Sequence, residues 1–286
     1  MDLKGKKIVV TGSAGFIGSR VVVKLKEEGA EVIEFDIKNK IDLTEWKTIP
    51  KTDGVDIIYH LAAIMYVPYS FQHPRETYFT NIGSTINMLE LCRNNNARMI
   101  LASSYVYGDL SGVSINESCP INPTNPYMVS KVVCEELCKS YHDDYGISCT
   151  ILRPFNIYGE GQDDRFLIPH IIKQIEENGK IVLDNSNPKR DFLHIDDMVN
   201  AYIKAGEYDK SKFEIINIGY GKSYSVREIV DIIVSCYNRT IEVTYLNKRR
   251  KGEIMDTVAD ISKAKRLLGW VPNVSVKEGL RRMVGK

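Results

Sequence analysis

Short apolar runs alternate with stretches of helical period through the first half of the chain. Strands are expected at 7–11, 31–36, 56–61, 98–103 and 148–153. Between them Ile17, Val21, Val22 and Leu25, then Ile82, Ile86, Leu89 and Leu91, recur at the spacing of one helix face. Strand–helix alternation predicts an α/β fold, a doubly wound parallel sheet with helices on both faces. Such sheets bind ligands beyond the carboxyl ends of their strands. Gly12, Asp36, the run His60-Leu61-Ala62-Ala63, Ser103 and Asn156 all fall at or just after predicted strand ends. After about residue 155 the rhythm changes. Gly159, Gly161, Pro169, Asn185, Asn187 and Pro188 cut the chain into shorter pieces. The pattern reads as a domain over 1–155 and a smaller α/β lobe over 156–286, some of whose segments can return to the main sheet.

Composition narrows the function classes. A chain of 286 residues has enough length for a real core. A net charge of +1 supplies no general attraction to nucleic acid or an anionic membrane. No apolar stretch approaches the roughly 20 residues of a membrane span, and no signal peptide is read at the start. The six cysteines are scattered, without C-x-x-C or matching histidine spacing, so no metal site is expected. Cys134 and Cys138 share a helix face, as buried thiols commonly do. A reducing cytoplasm suits this usage.

The chemistry begins at Thr11-Gly12-Ser13-Ala14-Gly15-Phe16-Ile17-Gly18. A phosphate-binding turn needs backbone N–H groups that no side chain obstructs, with a helix N-terminus behind them. Here the glycines are spaced G-x-x-G-x-x-G, one residue longer than the common dinucleotide fingerprint. Asp36, closing the next strand, can accept hydrogen bonds from ribose hydroxyls and would repel a 2′-phosphate, favouring NAD over NADP. Lys38 and Lys40 pull the other way. Asn125-Pro126 predicts a helix start, which puts Tyr127 and Lys131 one turn apart on one face. Tyrosine ionises near pH 10, so a tyrosine base at neutral pH needs about 4 kcal/mol of preferential phenolate stabilisation. A neighbouring ammonium and a positive nicotinamide ring are suitable sources. Ser103, expected at the tip of a central strand, could hydrogen-bond the phenol and a substrate oxygen.

These pieces together resemble the extended short-chain dehydrogenase/reductase family, specifically its NAD-dependent nucleotide-sugar epimerases and dehydratases. The resemblance runs nearly end to end. It rests on 11–18, Asp36, Asp42-Leu43, 60–63, Asn81 to Thr85, 103–108, 127–131, 153–159, 190–197, 250–253 and 268–270. It implies a Rossmann sheet holding NAD at Gly12, Gly15, Phe16, Ile17 and Gly18. It places Asp36 on the adenosine ribose, Asp42 and Leu43 beside the adenine, and Leu61, Ala62, Ala63 and Asn81 along the cofactor channel. It makes Ser103, Tyr127 and Lys131 the catalytic set, the latter two also touching the cofactor. It gives Asn156, Arg190 and Arg250 to the diphosphate of a nucleotide sugar and Glu253 to its nucleoside. Relatives of this kind commonly form homodimers through two helices per subunit, here including the one starting at Pro126.

The family's shared first step oxidises a sugar carbinol, usually at C4. The 4,6-dehydratases carry acidic residues just after the catalytic hydroxyl, where this chain has Ser104 and Tyr105. A 4-epimerase, working through a transient 4-keto sugar, needs no such carboxylate and is the favoured reading. The loop 64–70 would lie near the sugar. A keto-sugar reductase is the nearest alternative. A dinucleotide sensor without chemistry would not need Tyr127 and Lys131, and a methyltransferase using the same turn leaves that pair unexplained.

Overall fold

The computed structural model describes residues 2–208, 213–249 and 253–285. Its first half contains β1 (Lys7–Thr11), α1 (Gly18–Glu27), β2 (Glu31–Phe35), β3 (Ile57–His60), α2 (Val67–Gln72), α3 (Pro74–Asn95), β4 (Arg98–Ala102), β5 (Ser114–Ile115), α4 (Pro126–Tyr145) and β6 (Cys149–Pro154). The second half adds β7 (Asn156–Tyr158), α5 (Leu167–Asn178), β8 (Lys180–Leu183), β9 (Lys189–His194), α6 (Ile195–Glu207), β10 (Phe213–Ile218), β11 (Ser223–Ser225) and α7 (Val226–Val234). It ends with β12 (Glu242–Tyr245), β13 (Val258–Ala259), α8 (Ser262–Leu268) and α9 (Val276–Val284).

Six strands form one parallel sheet in the order β10-β6-β4-β3-β1-β2. The chain moves to one side after β1 and to the other after β2, so the switch point lies between β1 and β3. Alternation along each strand separates the core into two halves. Ile8, Val10, Tyr59, Ile100 and Leu152 face α1 and α6, where Val21, Leu25, Met198 and Tyr202 cover them. Val9, Ile58, Met99, Leu101 and Ile151 face α3 and α4, against Met88, Leu89, Cys134 and Cys138. Both faces are covered, which is why these strands read as continuous apolar runs.

The second half contributes to this layer as well as standing beside it. β10 pairs in parallel with β6, from Phe213 opposite Cys149 to Ile218 opposite Pro154. The remaining second-half elements enclose a separate apolar cluster around Ile171, Ile175, Ile181, Ile229, Ile233 and Leu280. β7 and β11 flank β9, and β8 pairs with β12. Among the described residues no helix is long and apolar enough to cross a membrane.

Candidate active site

β1 ends in the glycine turn. Gly12 has φ of +65°, and a Cβ there would lie 3.0 Å from the Ala62 backbone. A Cβ on Gly18 would collide with the Gly12 carbonyl oxygen. The turn therefore closes only on glycine at these two positions. No side chain caps the start of α1, and the turn itself closes it: Ser19 N donates to Gly15 O and Arg20 N to Ile17 O, each at 3.1 Å. Ser13, 2% exposed, carries a hydroxyl with no hydrogen-bond partner among the described residues. Asp36 ties the turn to the end of β2: its carboxylate accepts Ala14 N at 3.0 Å and Lys38 N at 3.0 Å. The Lys38 ammonium reaches the Ala14 carbonyl at 3.4 Å. An unobstructed turn, a helix starting directly behind it, an orphaned hydroxyl and a carboxylate at the next strand end fit a dinucleotide.

Other residues expected along the cofactor sit differently. Asp42 is held in a local turn by Thr44 N and the Thr44 hydroxyl. Leu43 packs into the core beside α3, with Asn87 on its carbonyl. Phe16 and Ile17 pack over the α1-side core. Asn81 is 1% exposed, and its amide is fully engaged. It accepts Ile64 N at 2.8 Å and donates to Ile64 O at 3.1 Å and Ser130 Oγ at 2.9 Å. It clamps the segment after β3 to α4. That segment, expected as loop from 64 to 70, turns into α2 at Val67.

Asn125 caps α4 by accepting Met128 N at 2.9 Å, and Pro126 is its first residue. Tyr127 and Lys131 then share one face, with the ammonium 6.0 Å from the Tyr127 ring centre. Lys131 is 3% exposed and donates to Ala102 O at 2.7 Å. Burial lowers the Lys131 pKa and raises that of Tyr127. The hydroxyl beside the Tyr127 phenol belongs to Ser104, whose hydrogen bond pulls the phenol back down. Ser103, the residue expected there, is 3% exposed and donates to Glu135. Glu135 also holds Arg153, which in turn donates to the Tyr107 hydroxyl at 2.8 Å. Ser103 thus belongs to a buried ion-pair network. Consecutive residues leaving a strand point to opposite sides, and β4 ends at Ala102.

A second-half cavity of about 360 Å³ collects Asn156, Arg190 and Glu253, three residues expected on the nucleotide. Arg190 donates to the carbonyls of Lys189 and Ile254, and Glu253 accepts from the Asn185 amide at 2.9 Å. Burial lowers the Arg190 pKa. Arg165 and His170 also line the cavity. Arg165 stacks over Tyr66 at 4.5 Å and so bridges the sugar-side segment to the loop after β7. The sequence singled out neither Arg165 nor His170, and it named Ser104 only as the residue after the expected hydroxyl. Arg250 lies outside the described residues.

The NAD dependent epimerase/dehydratase family model matches residues 8–219. A UDP-glucuronate 4-epimerase of Thermodesulfobacterium geofontis is 33% identical, over 96% of this chain and 94% of its own. The structure of a UDP-N-acetylglucosamine 4-epimerase from Methanobrevibacter ruminantium M1, in complex with UDP-N-acetylmuramic acid, superposes with a TM-score of 0.90 at 31% identity, covering 99% and 98% of the two chains. RMD from Pseudomonas aeruginosa, complexed with NADPH, superposes with a TM-score of 0.89 at 26% identity over 98% of each chain. A glycine turn at the switch point, the Tyr127–Lys131 face and these likenesses agree: the chain belongs to the NAD dependent epimerase/dehydratase family, and its cofactor is NAD.

Proposed function

We propose that the protein is a nucleotide-sugar 4-epimerase acting through a transient 4-keto sugar. The observation that carries this reading is the Ser104–Tyr127–Lys131 grouping at the carboxyl edge of β4. Tyr127 takes the proton of the sugar C4 hydroxyl, and Ser104 steadies the oxygen. Lys131, anchored on Ala102 O, holds a positive charge one helical turn from the phenol. NAD supplies the hydride acceptor when bound, together with a positive ring that favours the phenolate. After the keto sugar turns over, the hydride that NAD would hold goes back to the opposite face of C4, and Tyr127 returns its proton to the C4 oxygen. With Ser104 as the hydroxyl, the next two residues are Tyr105 and Val106. Neither provides the carboxylate that eliminating water would need. Ser103 is then a positioning residue, fixed by Glu135.

Gly12, Gly15, Gly18 and Asp36 hold the dinucleotide in this reading. Asn156, Arg190 and Arg250 take the diphosphate, with Glu253 on the ribose side. Arginine suits that task because its planar fork binds two oxygens. The similar proteins named for UDP-sugars support trying UDP-hexoses first. The scattered cysteines, with no C-x-x-C pair, support a reducing cytoplasm. The exposed Phe79 and Ile86 on α3 support a homodimer packed through α3 and α4.

A keto-sugar reductase is favoured by one observation, the Lys38 ammonium beside the turn, where it could meet a 2′-phosphate. Purified protein distinguishes the two. The epimerase retains NAD through turnover, whereas a reductase consumes one reduced dinucleotide per sugar.

A further inference from the structure

We infer that His60 is a positioning residue for the cofactor groove, and that it acts as the neutral tautomer carrying its proton on Nε2. His60 is 1% exposed at the end of β3, between the glycine turn and α3. Its Nδ1 lies 2.8 Å from the Thr11 hydroxyl. That hydroxyl already accepts two backbone donors, Leu61 N and Ala62 N, each at 3.1 Å. A hydroxyl oxygen has two lone pairs and one proton. With both lone pairs taken, the Thr11 proton must go to His60, so Nδ1 is the acceptor and carries no hydrogen. The ring proton therefore sits on Nε2 and is donated to Thr85 Oγ1 at 3.1 Å. Thr85 passes its own proton to Asn81 O at 2.8 Å. The two lone pairs of Thr11 fix the direction at Nδ1; Ser84 Oγ lies a further 3.5 Å from Nε2, and Cys134 Sγ lies 3.1 Å from Thr85 Oγ1. An imidazolium would aim a second N–H at an oxygen that has no lone pair left. Burial, then the Lys131 charge, keep the ring neutral, with its pKa lowered to about 3.

The network joins the two walls of the groove. Thr11 is the last residue before the glycine turn. Leu61 and Ala62 form the opposite wall, and Ala62 is the backbone that Gly12 approaches. Asn81 continues the connection to Ser130, whose hydroxyl donates to the Tyr127 carbonyl at 2.7 Å. His60 thus sets the separation of the groove's walls from a buried position behind them.

Two measurements test this. In wild-type protein labelled with ¹⁵N-histidine, the His60 ring should give the Nε2–H signature at neutral pH, with Nδ1 as an unprotonated acceptor. A ring protonated on Nδ1 overturns the inference without any variant. The second measurement is NAD and UDP affinity by calorimetry in His60→Asn, His60→Gln and Thr11→Val. Asparagine places an amide oxygen where Nδ1 stands and can still accept from Thr11. Glutamine reaches the Nε2 position and cannot. Expected is about a tenfold weaker NAD affinity in His60→Gln and Thr11→Val, the worth of one buried hydrogen bond. NAD affinity should be largely restored in His60→Asn, with UDP affinity within about twofold throughout. NAD affinity in His60→Gln equal to wild type, or parallel losses of NAD and UDP binding, overturns the inference. These readouts do not depend on which sugar is converted, so a wrong reaction assignment leaves them standing.

Discussion

Tyr127 faces opposing influences. Burial favours its neutral form, Ser104 favours the anion, and Lys131 is itself pushed toward neutrality by burial. The protein alone therefore keeps the phenol above its ordinary pKa, and the bound nicotinamide must supply the remaining field. Tyrosinate absorbance should accordingly show Tyr127 titrating at lower pH with NAD⁺ bound than without it. The base form is the deprotonated one, so kcat should fall as pH drops through that lower value. An unchanged titration would remove the cofactor from the base's environment. Tyr127→Phe should lower kcat by about 10²–10⁴-fold while NAD stays bound. Ser104→Ala should lower kcat with little change in folding stability. Ser103→Ala should do the reverse, because it leaves the Glu135–Arg153 pair short of a donor. Equal kinetic losses in both would contradict the division of roles. The sequence made two adjacent serines visible, but not which one faces the phenol. Strand ends are uncertain by a residue or two in any sequence pattern, and one residue turns a side chain to the other side of a sheet.

At the scale of elements, β1 to β4, β6 and the start of α4 were legible because each carries its own local signal. Buried parallel strands are apolar throughout, and Asn125-Pro126 marks a helix start. β9 depends on something else. Asp191 is fully buried on it and accepts Tyr220 N at 2.5 Å, Gly221 N at 2.9 Å and Ala259 N at 3.0 Å. One carboxylate thereby ties β9 to the segment after β10 and to β13 itself. Asp191→Ala should destabilise the fold by more than about 3 kcal/mol in urea denaturation, since three buried donors lose their acceptor. A loss under about 1 kcal/mol would mean that those donors find other partners. Pairings such as β13 with β5, or β12 with β8, involve two to four residues each. Their local pattern is too short to read, and their partners are distant in sequence.

The whole molecule places a dinucleotide turn at the sheet's switch point and a nucleotide-sized cavity in the second half, with Tyr127 on the carboxyl edge of the sheet. Asn156, Arg190 and Glu253 were legible as a group only through family resemblance, since the first and last lie 97 positions apart. Arg165 carried no such signal, because its place on Tyr66 arises when two loops meet across the cleft. Arg190→Ala should raise KM for a nucleotide sugar with a smaller effect on NAD binding, and steady-state kinetics with calorimetry would show it. The most direct test of the central claim is NMR of a UDP-hexose incubated with the purified protein in D₂O, without added dinucleotide. The account expects the C4 epimer to appear with protium retained at C4 and no net NADH. Deuterium at C4, a 4-keto-6-deoxy product, or turnover only with added reduced dinucleotide would contradict it.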